Sequence, residues 1–253
     1  MVERLSLYRA PTTVVDADAI AAWLRERIDA DVTVRDRFLS VYGDDSLAED
    51  FARARVLDPY DPETGNTMVG IVRYEERALE HPDRAGGVIY DGLQVQEALG
   101  RRLPKDERGL GNLHVPLLDR VVGTWGDHDG RWHKRVNVLG QPALLSVPGL
   151  YEAPAKPEQY YKEQQKQALF SGGPPPREVL EEQVEGEFLV EDDPRTTDVL
   201  KGYVLQAVHY VDTGESFCED EHCRLSNPHR QPGVIEAQLR DPEFCERHAE
   251  RYA

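Results

Sequence analysis

Cys218, Cys223, Cys245 and His248 are the residues whose types and spacing imply chemistry most directly. The sequence reads C-E-D-E-H-C from Cys218, and after a loop over 224–244 it reads C-E-R-H from Cys245. Two close ligand pairs joined by one loop is the arrangement of a structural zinc site. Three thiolates and an imidazole suit the borderline-soft Zn²⁺ ion, and four ligands close its tetrahedron with no position left for substrate. The pairing uses every cysteine of the chain. A disulfide framework would leave one thiol over, and the stretch from Met1 to Pro11 lacks the apolar segment of a secretory signal. The spacing therefore predicts reduced thiols, a cytoplasmic location and one structural zinc per chain.

The same residues carry a likeness. The run F-C-E-D-E-H-C-R-L-S-N from Phe217 and the run E-A-Q-L-R-D-P-E-F-C-E-R-H from Glu236 resemble the C-terminus of the archaemetzincins, a family of zinc metallopeptidases. The paired cysteines, Ser226-Asn227, Glu236-Ala237, Arg240 and Phe244-Cys245 all fall in place. Leu225 stands where the family has the methionine of its Met-turn, and His248 stands where it has a last cysteine. The resemblance covers the C-terminal 36 residues, 218–253, and fades upstream. It implies an α/β, metzincin-like fold: a twisted mixed sheet packed on helices, an active-site helix, then a C-terminal zinc knot. The expected division is an α/β domain over 1–217 and a zinc-binding subdomain over 218–253.

In archaemetzincins the first of these cysteines directly follows the motif H-E-x-x-H-x-x-G-x-x-H. There, two histidines one helical turn apart and a third past a glycine bend hold the catalytic metal, and the glutamate is the base. Counting back from Cys218 places Phe217, Gly214, Val211, Val208 and Ala207 on those positions. Only the bend glycine remains. The resemblance thus implies a pseudoenzyme, a non-catalytic zinc protein that binds a peptide or protein or acts as a regulatory subunit. The alternative is a zinc-dependent hydrolase or peptidase with a relocated site, for which His114, Asp119, His128, His133 and His209 are the candidates. His209 shares the helix of the lost motif but has no ligand partner at i±4.

Charge narrows the partners. The 253 residues carry a formal net charge of −17, and lysine is confined to positions 105, 134, 156, 162, 166 and 201. That balance is expected of a protein kept in solution at high salt, as in the cytosol of a halophilic archaeon. It disfavours nucleic acid and anionic membranes. In the zinc knot itself acids outnumber arginines, so a nucleic-acid-binding knuckle is the weaker reading. No run is long and apolar enough for a membrane span.

The elements that must position the cysteines alternate. Leu5 and Leu7 predict a strand, as do Val32 and Val34; Asp16 predicts the cap of a helix striped by Ile20, Trp23, Leu24 and Ile28. Leu47, Phe51 and Ala54 repeat at helical spacing before a loop over 58–65. Met68–Tyr74 and Gly87–Tyr90 read as strands, and Leu93–Leu103 as a helix. Asn112–Leu118, Trp132–Leu139 and Ala143–Val147 are β-rich, with a hairpin tip at Gly126–Gly130. A helix over 158–170, a linker over 171–176, a helix over 177–184 and an edge strand or docking segment at 188–190 follow. Asp193 and Pro194 suit the N-cap and first position of the last long helix, which Gly214 can terminate.

Overall fold

The computed structural model describes residues 1–12, 14–82, 86–171, 173, 175–184 and 187–253. In chain order the strands are β1 (Arg4–Tyr8), β2 (Asp31–Arg35), β3 (Ile89–Asp91), β4 (Asn112–Leu118), β5 (Val121–Gly126), β6 (Arg131–Arg135), β7 (Asn137–Val138) and β8 (Leu144–Ser146). The helices are α1 (Ala17–Arg25), α2 (Phe38–Tyr42), α3 (Leu47–Arg53), α4 (Val69–Glu80), α5 (Gly92–Arg102), α6 (Gly149–Glu152), α7 (Glu158–Ser171), α8 (Arg177–Gln183), α9 (Thr196–Thr213), α10 (Gln231–Leu239) and α11 (Glu246–Tyr252).

A five-stranded mixed sheet in the order β2-β1-β4-β8-β7 forms the centre, parallel except for the β7–β8 pair. Side chains alternate across it as the pleat requires. Leu5 and Leu7 of β1, Leu113, Val115 and Leu117 of β4, and Leu145 of β8 enter one core with α1 and α9. Tyr8, Leu118 and Leu144 point to a second core with α2, α3 and α5. The result is an α/β arrangement with helices on both faces of the sheet. A smaller sheet, β3-β5-β6, adds an antiparallel hairpin whose turn is Gly126–Gly130.

Helix α9 is the spine of the first core. Val199, Leu200, Tyr203, Val204, Ala207 and Val208 are buried there. Gly202 permits a close approach: a β-carbon in its place would collide with Gln238 and stand 2.7 Å from Arg224 Cγ. Gly214 caps the helix with φ of 77°, the left-handed conformation that a glycine adopts without strain. Cys223, Leu225, Val234, Phe244 and Tyr252 lie in the same core as β1 and α1, so the packing is continuous across residues 217 and 218.

Some expected elements differ. Met68–Tyr74 is not a strand; Val69–Glu80 is helical. Its buried residues, Glu75 and Ala78, are three apart, while Met68 and Val69, which suggested a strand, are exposed. The glycines at 123 and 126 conceal the strand β5, which is the true partner of β6. Residues 188–190 form no strand: Phe188 and Leu189 are buried in irregular backbone, where Leu189 N–H donates to Gln231 Oε1 at 3.0 Å. Asp193 sits one turn before α9 and receives Arg195 N–H at 2.9 Å instead of capping the helix. Of the linker over 171–176 and the acidic stretch at 185–192, positions 172, 174, 185 and 186 lie outside the described residues. No helix among the described residues is long and apolar enough to cross a membrane.

Candidate metal centre

Past Gly214 the chain folds back on itself to make the knot. Cys218 N–H donates to the Leu225 carbonyl at 2.9 Å, Cys223 N–H to the Asp220 carbonyl at 3.0 Å, and Ser226 N–H to the Cys223 carbonyl at 2.8 Å. These turns aim both thiols inward. Cys245 precedes α11, and His248 lies one turn later, with its N–H on the Cys245 carbonyl at 3.0 Å. Helical spacing thus puts the second pair on one face. The Sγ atoms of Cys218 and Cys245 are 3.8 Å apart. His248 Nδ1 is 3.2 Å from Cys245 Sγ and 3.4 Å from Cys223 Sγ. The four ligand atoms lie within 4.8 Å of one another, the geometry of a group that can hold one metal ion.

The knot is fastened to the spine by polar side chains that local spacing does not reveal. Arg224, 4% exposed, donates through Nη2 to the Asp198 carbonyl at 2.9 Å and the Gln238 carbonyl at 2.6 Å, and pairs with Glu243. Its guanidinium also lies 4.8 Å from the Trp23 ring centroid on α1. Gln206, buried on α9, donates to the Ser226 carbonyl at 2.7 Å and accepts from Asn137 Nδ2 at 2.9 Å. A fully buried amide within an apolar stripe was the available signal, because such a group needs partners.

Burial disfavours the charged forms of Cys218, Cys223 and His248. The Cys218 thiol is pushed up to about 12, and that of Cys223 is also raised. Burial likewise pushes His248 down, followed by the nearby His209 and Arg247. Neutral thiols are poor ligands, whereas a dication supplies the charge that would hold them as thiolates. The neutral imidazole of His248 is ready to ligate.

The five residues considered for a relocated site do not converge. His114, on β4, is 1% exposed, and Tyr8 Oη lies 2.7 Å from its Nδ1 and the Glu107 carbonyl 3.1 Å from its Nε2. Both ring nitrogens are therefore engaged in the core. Asp119, in the turn after β4, pairs with Arg120 at 2.6 Å. His128 and His133 meet at the hairpin tip, where their rings stack at 5.8 Å and His133 Nε2 lies 2.9 Å from Asp129 Oδ1. His133 first, and Arg131 with it, pull the Asp129 carboxyl down to about 2. His209 lies elsewhere, beside the cysteine cluster. Its Nδ1 is 3.0 Å from Tyr252 Oη, and its ring stands at 88° to that of His248 with centroids 5.0 Å apart. Glu215 Oε2 is 3.7 Å from His209 Nε2. His128, Asp129 and His133 form a second group with metal-ligand spacing at the hairpin tip, and His209, Glu215 and His248 form a third, contiguous with the cysteine cluster.

Fold and site together define a mixed α/β protein with a Cys₃His cluster near its C-terminus. The chain belongs to the family described as "Family of unknown function (DUF7001)", whose model matches residues 6–251. No match is found among curated proteins. Among solved structures it is similar to a zinc-dependent peptidase from Methanocorpusculum labreanum, with 11% identity, TM-score 0.50 and 98% of each chain covered. It is also similar to an archaemetzincin from Methanopyrus kandleri, with 13% identity, TM-score 0.45 and coverage of 98% of this chain and 92% of that one. The likeness in fold extends far beyond residues 218–253.

Proposed function

We propose that this chain is a non-catalytic zinc protein, an archaemetzincin-like scaffold whose single metal is structural and whose role is to bind a peptide or protein partner or to regulate one. The observation that carries the reading is a contrast within one stretch. Cys218, Cys223, Cys245 and His248 converge as a closed four-ligand set. Immediately upstream, the positions that the resemblance assigns to the catalytic ligands and base hold Ala207, Val208, Val211 and Phe217, of which Ala207 and Val208 are packed into the core. Apolar side chains can neither hold a metal nor take a proton from water.

A bound zinc would take three Sγ atoms and His248 Nδ1, and would supply folding energy to the knot. The proton of His248 would then sit on Nε2, a buried atom with no hydrogen-bond partner among the described residues, with His209 and Glu215 close by. Groups in that position orient a metal-bound imidazole. In this reading His209 and Glu215 support the zinc ligand, and the solvent-facing group His128, Asp129 and His133 at the hairpin tip is the ligand set left for a relocated site.

The test is cleavage of a broad peptide library in molar KCl with added Zn²⁺, by the wild-type chain and by His133→Ala and His209→Ala. The expected outcome is no chelator-sensitive turnover by any of them. Chelator-sensitive cleavage by the wild type that is lost in either variant would establish a relocated peptidase site and overturn the reading.

A further inference from the structure

A second site lies at the opposite end of the sheet from the cysteine cluster. The last turn of α9, which leads into the cluster, meets the start of β1: Val2 N–H donates to Asp212 Oδ1 at 2.6 Å. The first turn of α9 meets the chain beyond β1, where Thr197 Oγ1 donates to the Val14 carbonyl at 3.2 Å. The helix therefore runs antiparallel to β1, and the carboxyl ends of β1, β2 and β4 lie at the far edge. There the strand order reverses, since β1 has β2 on one side and β4 on the other, all parallel. Open α/β sheets bind ligands in the crevice outside such a switch point.

In this chain the crevice is a cavity of about 280 Å³. That is near the small end of the range of about 300–1,000 Å³ for ligand pockets. Its polar groups follow the strand ends: Arg37 comes just after β2, and Asp119 and Arg120 just after β4. Phe38, Leu39 and Leu79 supply apolar wall.

Arg120 sets the ligand chemistry. Its side chain is 1% exposed. It is held firmly: Ser146 Oγ donates to the Arg120 carbonyl at 2.6 Å, and the guanidinium carbon lies 5.7 Å from the Phe51 ring centroid. Nη1 is engaged by Asp119 at 2.6 Å. Nε and Nη2 find no acceptor among the described residues. These two are the side-on fork of a guanidinium, which matches the two oxygens of a carboxylate. A buried donor without an acceptor costs free energy that an incoming acceptor recovers. Arg37 is exposed at the mouth, and its side chain makes no hydrogen bond or ion pair with the described residues. Burial raises the Asp119 carboxyl against the pull of Arg120 and Arg37.

The rim limits the ligand's charge. Asp44 is neutralised by Arg102 at 2.7 Å, but Asp45 and Glu80 are exposed acids lining the cavity. They repel a polyanion such as a phosphate more than a single carboxylate. The geometry points to a binding site for a small carboxylic acid with an apolar body, its carboxylate on the Nε–Nη2 fork of Arg120 and its body against Phe38, Leu39 and Leu79. This site is independent of the metal centre.

Calorimetric titration of the full chain with benzoate, acetate, benzylamine and inorganic phosphate tests the assignment. Benzoate is expected to bind saturably at one site per chain, more tightly than acetate, benzylamine or phosphate. Arg120→Lys keeps the charge but removes the fork and is expected to weaken benzoate binding about tenfold. Arg37→Gln alters an exposed side chain, so it should leave the melting temperature unchanged and weaken binding about threefold. Should Arg120→Lys not fold, Arg37→Gln decides alone. Absence of saturable benzoate binding, tighter binding of benzylamine or phosphate, or unchanged affinity in the folded variants would overturn the proposal.

Discussion

Cys218, Cys223, Cys245 and His248 bring their four ligand atoms within 4.8 Å of one another. Burial holds the Cys218 thiol up to about 12 in the absence of metal, so metal and protons compete for the same atoms. The sign follows in two parts. Zinc binding releases protons, so retention of zinc weakens as pH falls. The metal-free fold, with its thiol raised, instead loses stability as pH rises above the ordinary thiol range toward 12. Thermal melts of loaded and chelated protein from acid to alkaline pH should show these opposite slopes; parallel slopes would contradict the ligand assignment. His209→Ala should lower zinc affinity by about ten- to a hundredfold, the usual effect of removing a group that orients a metal-bound histidine. Competition with a chromophoric chelator measures it, and unchanged affinity would detach His209 from the site. The cysteine pairs were legible because their ligand spacing is local. The support was not, because Tyr252 reaches His209 from 43 residues away and Glu243 reaches Arg224 from 19 away.

At the scale of elements, α9 does most to position the knot. Its sequence shows both the apolar stripe and the terminating Gly214, and both lie where the 3.6-residue period puts them. Gly202 is less legible, since only the tertiary approach of Gln238 and Arg224 explains it. Gly202→Ala should cost about 1–3 kcal/mol through overpacking, despite alanine's better helix propensity. Chemical denaturation measures this; a stabilised variant would mean that α9 and α10 can separate freely. Other elements were harder to read for physical reasons. Met68 to Tyr74 is short and apolar, and strands and helices share that pattern until a buried partner decides. Here the partner is Glu75, whose carboxylate pairs with Arg55 at 2.8 Å and receives Tyr90 Oη–H at 2.9 Å. Strand β5 contains two glycines and a threonine, so its β character comes from pairing with β6 more than from propensity.

Across the whole molecule, stability rests on a core that is continuous through residues 217 and 218, and a large negative charge opposes it. The alternation of β and α segments made the α/β class legible, whereas the separation of hydrophobic residues into two cores depends on sheet order, which no local pattern encodes. Surface ion pairs such as Arg53–Glu49 and Arg101–Glu97 add little to stability and weaken in salt. The net charge of −17 repels itself over the whole surface, and screening relieves it. Molar KCl should therefore raise the melting temperature, by about 3 °C for each kcal/mol gained. Equal or greater stability at low salt would contradict the expectation of a chain suited to high salt. Metal analysis of the full chain purified in molar KCl tests whether Cys218, Cys223, Cys245 and His248 hold a single structural zinc. One zinc per wild-type chain is expected, with both the zinc and much of the thermal stability lost in Cys223→Ser. Two zinc ions per chain, or full zinc occupancy with unchanged melting in Cys223→Ser, would contradict it.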